Sequence, residues 1–340
     1  WRDGAKLVSS QRCRMIPPES QWCHQISVTS VCWPKTPSGQ KTQCSNCTRL
    51  LGHERRNYVM TPWQFEMCAR VAAEFAYHSP PDVQGRTKTI GIFGGEPLMS
   101  PHFPAYVEIL CHYVPDARHR GLWTSVDWPN YVSSTYGAAA PLVRRLLGME
   151  GDSIRPRRGC GYLNWNDHAD VKEVTHQPLL VAISDVVKDE RRRWELISDC
   201  WVNREWSAAY ALDRAGTPKF YFCEVASAFD RVLGLDIGLP VERGCWRGPL
   251  TLAPDAAGVL RPTGKFASQV LAACGRCGAA LPMAGRRDAE QVDDISPLNL
   301  EALRAVGSPM VARGDYVDHT HANEITAAQW QPSVYIKGNG

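Results

Sequence analysis

Thirteen cysteines stand in 340 residues, and eight of them fall into two groups whose spacing suits metal chemistry. Cys32, Cys44 and Cys47 form the first group, with eleven residues between the first two and a CxxC pair at the end. Cys200, Cys223, Cys274 and Cys277 form the second, which closes on Cys274-Gly275-Arg276-Cys277-Gly278; Cys245 lies among them as a fifth candidate able to replace any one. A CxxC pair sets two thiolates on one metal ion or cluster. Three thiolates can hold three irons of a [4Fe–4S] cluster and leave the fourth iron for another ligand. With His24 or His53 as fourth ligand, the same three thiolates would instead close a structural zinc site. Four thiolates suit zinc and iron–sulfur alike, so spacing leaves both open for the second group.

The rest of the composition narrows the class. An odd cysteine count cannot pair fully and a chain this long needs no disulfide staples, so the thiols read as ligands or core in a reducing compartment. Hydrophobic residues at 44% and charged residues at 21% are enough to bury a full core. A net charge of +3 is too mild to require a nucleic-acid partner, though it leaves a basic groove open. No apolar run approaches the ~18 residues of a membrane helix. Membrane, fibrous and disordered classes are set aside, and a cytoplasmic setting is expected. The opening Trp1-Arg2-Asp3-Gly4 has neither an initiator Met nor an apolar signal core, which predicts a trimmed chain.

These groups need elements to carry them. Residues 22–31 alternate as a strand, and Cys32 follows it into a Gly/Pro/polar loop over residues 33–43. Thr61-Pro62-Trp63-Gln64 is a helix start, with Thr as N-cap, Pro at the first helical position and Gln closing a capping box. Phe65, Cys68, Ala69, Ala72, Phe75 and Ala76 then recur at helical spacing. Strands are expected at 87–93 and 121–125, helices at 103–114 and 136–147, and short strands at 161–165 and 179–184. Strands alternating with helices predict parallel βα units. Beyond residue 185 the spacing predicts a charged helix over 188–197, then strand-like runs at 206–212 and 219–222 around an Asp213-Arg214-Ala215-Gly216 turn. A helix over 224–233 follows, and the residues from 286 read as a polar tail wrapping the body.

The second strand ends Ile92-Phe93-Gly94-Gly95-Glu96-Pro97-Leu98. A three-cysteine loop after a first strand, followed by GGEP at the end of the second, resembles the radical S-adenosylmethionine (radical SAM) superfamily over residues 22–184. That resemblance implies an α/β fold, a full or partial (βα)6-type barrel. It implies that Cys32, Cys44 and Cys47 ligate a [4Fe–4S] cluster. Gly94, Gly95 and Glu96 would bind the methionine ammonium group of S-adenosyl-L-methionine, with Pro97, Thr124 and Ser125 completing the cofactor-binding set. Leu122-Trp123-Thr124-Ser125 is similar to the family's third strand, which often ends Thr-Asn-Gly. The first cysteine gap is longer than the family's usual three residues, and Asn46 replaces an aromatic residue that commonly packs beside the adenine, a role Trp33 would have to take.

Cys200, the hairpin around Gly216 and Cys223 are similar to the opening of SPASM or Twitch extensions, which hold an auxiliary iron–sulfur cluster. With Cys274 and Cys277 they would make a second [4Fe–4S] site, or a zinc ribbon. The chain then divides into an N-terminal extension (1–21), the barrel (22–184), a small Cys-rich α+β domain (185–285) and the tail (286–340). The implied function is reductive cleavage of S-adenosylmethionine to a 5′-deoxyadenosyl radical that abstracts hydrogen from a peptide or protein side chain, fed by an electron donor such as a flavodoxin or ferredoxin. A nucleotide, nucleobase or sugar substrate is the alternative within that class, and a zinc-stabilised binding protein the alternative outside it. Cys68 and Cys111 read as core; Cys13, Cys23 and Cys160 have no partner spacing; the arginine runs and His319 and His321 read as surface. Glu224, Asp127 and Asn166 are candidates for the barrel mouth.

Overall fold

A computed structural model describes residues 15–32, 44–79, 82, 85–125, 139–151, 156, 157, 159–165, 175–281, 283, 285–287 and 290–319. Cys13, Trp33, Asp127, Asn166, His321, the 33–43 loop and the helix start expected at 136 lie outside these residues. The first half builds β1 (Cys23–Ser27), α1 (Pro62–His78), β2 (Thr89–Phe93), α2 (Phe103–Tyr113), β3 (Arg120–Thr124), α3 (Ala140–Leu147), β4 (Tyr162–Trp165) and β5 (Thr175–His176). Next come α4 (Ile183–Val186), α5 (Glu190–Ser198), α6 (Trp201–Glu205), β6 (Ser207–Leu212), β7 (Pro218–Tyr221), α7 (Glu224–Leu233) and β8 (Leu239–Pro240). The last part holds β9 (Leu250–Pro254), β10 (Leu260–Gly264), α8 (Ala267–Ala273), β11 (Arg286–Arg287), β12 (Asp293–Ile295), α9 (Pro297–Ala305), α10 (Pro309–Arg313) and β13 (Tyr316–Asp318). No helix among the described residues is long and apolar enough to cross a membrane.

One mixed, mostly parallel sheet of seven strands organises the molecule, in the order β4-β3-β2-β1-β6-β7-β8. The first five are parallel, so their C-terminal ends share one edge; β7 runs antiparallel to β6, and β8 antiparallel to β7. A closed barrel is not shown; among the described residues β4 and β8 stand at the edges of the sheet. Its strand period of two separates two faces. His24 and Ile26 stand in register with Ile90, Ile92, Leu122, Ala208 and Tyr210, all buried, and the His24 ring stacks on Phe75 of α1 at 3.5 Å. The other face is polar or small: Gln25, Ser27, Gly91, Gly121, Ser207 and Ala209. Gly91 and Gly121 are required there, because a Cβ on either would lie 2.1 or 2.6 Å from the Trp123 indole that covers them. The Trp123 ring meets Trp22 at 6.1 Å and Tyr162 at 5.1 Å, forming an aromatic wall.

Three expectations change. Residues 185–285 continue the same sheet: β6, buried at every position, pairs in parallel with β1, and β7 and β8 extend that side. A β1 edge left open would have exposed a ladder of unpaired backbone groups beside the core. The buried apolar run 179–184 is a turn feeding α4 rather than a strand. Its backbone bonds go locally (Val181 N to Pro178 O, 3.3 Å) and to the CGRC segment (Gly278 N to Leu179 O, 2.8 Å); an apolar run this short does not distinguish strand from helix. The polar tail is a folded module to residue 318, in which β12 and β13 pair in parallel and Ile295, Leu300, Leu303 and Met310 are buried.

The capping box at α1 is formed as its residues dictate. The Gln64 N–H donates to Thr61 Oγ1 at 3.2 Å, and the Thr61 N–H donates to Gln64 Oε1 at 2.8 Å. Thr61→Ala is expected to lower stability by about 1 kcal/mol. Urea unfolding checks this: the midpoint falls and the slope is unchanged.

Candidate functional site

The C-terminal ends of β1, β2 and β3 meet at the GGEP turn. Past β1 the chain is laced to it by backbone bonds: Val28 N to Phe93 O (2.8 Å), Gly95 N to Thr29 O (2.7 Å) and Glu96 N to Val31 O (2.8 Å). The two glycines permit this approach. A Cβ on Gly94 would lie 2.6 Å from the Thr29 carbonyl oxygen, and one on Gly95 2.3 Å from that of Val31. Cys32 is thereby delivered directly beside the turn. Among the described residues no hydrogen bond goes to the Gly94 or Gly95 carbonyl.

Glu96 is fully buried, and its carboxylate is spent inside the protein. Oε1 accepts from Leu98 N (3.1 Å) and Thr124 Oγ1 (2.9 Å); Oε2 accepts from Ser125 N (2.9 Å) and Ser125 Oγ (2.8 Å). Burial raises its pKa, and these donors oppose the rise. Glu96, Thr124 and Ser125, all expected to touch the cofactor, therefore bolt the end of β2 to the end of β3. Pro97 opens the short 3-10 turn that follows.

The CSNC loop is fixed from three sides. Arg49, two residues past Cys47, is buried and donates to Ser27 Oγ (2.9 Å), the Glu224 carbonyl (2.8 Å) and Ser227 Oγ (3.2 Å). Asn46 takes the left-handed conformation (φ 51°), which Asn tolerates, and its side chain pairs reciprocally with Asp294. The Asn46 amide thus holds β12. His53 uses both ring nitrogens, on Asp293 Oδ2 (2.8 Å) and Ser308 Oγ (2.7 Å). His24 bonds the Pro18 carbonyl and lies in the core under α1. Neither histidine completes a zinc site with the first cysteine group. Burial pushes the Cys47 thiol up to about 11, opposed by the backbone N–H groups of Leu51 and Arg49.

Cys200, Cys223, Cys274 and Cys277 line one apolar cavity with Met15, Phe222 and Phe229, while Cys245 is not among its walls. Cys245 instead neighbours Tyr210 and Cys68. The four thiols arrive from different elements: Cys200 caps α6, Cys223 caps α7, and Cys274 and Cys277 flank the turn after α8. Their sulfurs face backbone donors: Val202 and Asn203 for Cys200, Ala226 for Cys223 and Ala279 for Cys277. Burial pushes Cys277 up to about 12, and holds Cys223 and Cys274 well above the usual thiol range. Bare thiolates are thus disfavoured, and a bound cation would reverse that balance. Among the described residues no three His, Cys, Asp or Glu side chains are grouped as a ready metal-ion site. The four thiols share one cavity.

Sequence reasoning missed Arg49, Asp293, Asp294 and Asn299. Of these only Arg49, adjacent to a CxxC pair, carried a local signal; the others are common polar residues brought in by long-range packing.

Gly95→Ala is expected to cost about 2–3 kcal/mol, because the Val31 carbonyl cannot yield without moving the strand that delivers Cys32. Gly275→Ala, with open space around its Cβ, is expected to cost under about 0.5 kcal/mol in the metal-free protein. Denaturant midpoints compare the two. No protein-family model matches this chain and no curated protein matches it, so the site is read from its own chemistry.

Proposed function

We propose that this chain is a radical S-adenosylmethionine enzyme. The carrying observation is the lacing of the cysteine-bearing segment to the GGEP turn, which puts Cys32 beside two glycine carbonyls that no donor among the described residues uses. Carbonyl oxygens are acceptors suited to an ammonium group, and glycine lets a ligand approach the backbone closely. Cys32, Cys44 and Cys47 would hold the cluster. When bound, it would supply the single electron that splits S-adenosylmethionine and starts hydrogen abstraction from substrate.

The chain's own residues do the remaining work. Glu96 keeps the ends of β2 and β3 together, so the glycine carbonyls stay fixed beneath the ligand. Arg49 holds the CSNC loop to β1 and α7. The polar sheet face, with the Trp22, Trp123 and Tyr162 wall, is the side on which substrate lies in this reading. Cys200, Cys223, Cys274 and Cys277 would hold the auxiliary group. A single tetrahedral zinc needs four sulfurs about 3.8 Å apart, from a Zn–S length of ≈ 2.3 Å. A [4Fe–4S] cluster takes four thiolates at its wider corners, one per iron, and the thiols lining this cavity would supply them. A peptide or protein side chain is the proposed substrate, because extensions similar to this quartet accompany peptide maturation.

The test is anaerobic. The reconstituted protein is given dithionite and S-adenosylmethionine, and 5′-deoxyadenosine is sought by mass. The expected result is product from the wild type and none from the Cys32/Cys44/Cys47→Ala triple variant. Equal signals from both, or none from an iron-loaded wild type, would sink the proposal.

A further inference from the structure

The two CxxC turns are distant in sequence, yet the same seven residues, 293–299, grip both. At one end the Asn46 N–H donates to Asp293 Oδ1, its Nδ2 donates to Asp294 Oδ2 (2.8 Å), and its Oδ1 accepts from Asp294 N (2.9 Å). Asn46 lies inside CSNC. At the other end Asn299 Nδ2 donates to the carbonyls of Arg276 (2.7 Å) and Leu180 (2.9 Å), and Arg276 Nη1 donates to Leu298 O (3.4 Å). Arg276 lies inside CGRC. Between the two ends the stretch is stiff. β12 is paired to β13, Ser296 Oγ accepts from Ala182 N (2.8 Å), and Pro297 occupies the first turn of α9. Asp293, Asp294, Ser296 and Asn299 are all buried.

We propose that residues 293–299 are a brace that couples the two cysteine sites, so that ordering either CxxC turn orders the other. Asn46, Asp294 and Asn299 are its positioning residues. The functional consequence rests on the reading of both groups as metal sites; the mechanical coupling rests on the hydrogen bonds alone. Each end is a buried amide with a backbone partner, so loosening one end leaves the rigid middle free to carry the change. Coupling of this kind is reciprocal.

Hydrogen exchange read by mass spectrometry tests it, on the reconstituted full chain kept anaerobic, with iron and zinc quantified in the same samples. Asn299→Asp keeps the size and removes the Nδ2 donor. It is expected to speed exchange at residues 44–50 about tenfold, although it touches only the other turn. Asn46→Ala is expected to speed exchange at 274–278 in return. Cys274→Ala should release 44–50 in the wild type and add nothing in the Asn299→Asp background. Thr61→Ala, a control for general loss of stability, should release neither turn selectively. Wild-type exchange at 44–50 in Asn299→Asp, or a release matched by Thr61→Ala, would overturn the brace. A protein that binds neither iron nor zinc would remove the metal reading, while the exchange rates would still decide the coupling.

Discussion

A guanidinium cannot be buried without answering its donors, and the Arg49 side chain, 6% exposed, sets the terms for the region around it. Its donors reach Ser27 at the end of β1, and Ser227 and the Glu224 carbonyl at the start of α7; its plane lies 5.1 Å from the Phe93 ring at the end of β2. Because Arg49 follows Cys47 by two residues, this one cation ties the CSNC loop to two strands and to the helix that Cys223 caps. The polar sheet face exists partly to receive it. Ser27 and Ser227 are buried hydroxyls whose positions make sense as its acceptors. Removing the charge would leave those acceptors, and the first turn of α7, without their common partner.

The apolar and small-residue pattern of β1, β2 and β3 was enough to place the parallel strands, and the cap signals placed α1 closely. These are local properties: period, capping and turn chemistry. The pairing of β6 with β1 was not local. Nothing in the residues 207–212 says which strand they join, and the change of texture near residue 185 suggested a domain boundary where the sheet in fact continues. The elements of the C-terminal segment were missed for a related reason. Its core contribution is a few well-spaced residues, Ile295, Leu300, Leu303 and Met310, set among polar side chains that are themselves buried.

The cysteines were legible because their chemistry is rare and their spacing is tight. Their grouping in the quartet followed, and the exclusion of Cys245 did not: only the fold shows that it faces Tyr210 and Cys68. Glu96 was visible as a motif residue, but the partners of its carboxylate were not. Its carboxylate has four protein donors, so it shapes the site, while among the described residues no hydrogen bond goes to the Gly94 or Gly95 carbonyl. The same logic holds for Asn46, whose side-chain amide is bonded to Asp294 of β12. Residues that position ligands are read poorly from sequence, because hydrogen-bond partners far away in the chain decide their work.

The central claim is that two separate cysteine groups each hold an iron–sulfur site on one α/β scaffold. Iron and sulfide counted per chain after anaerobic reconstitution test it most directly, in the wild type and in two variants that replace either the first group or the quartet by Ala. The account predicts about eight irons in the wild type and about four in each variant, each with matching sulfide. Zinc in place of iron, or loss of all iron when only one group is replaced, would contradict it.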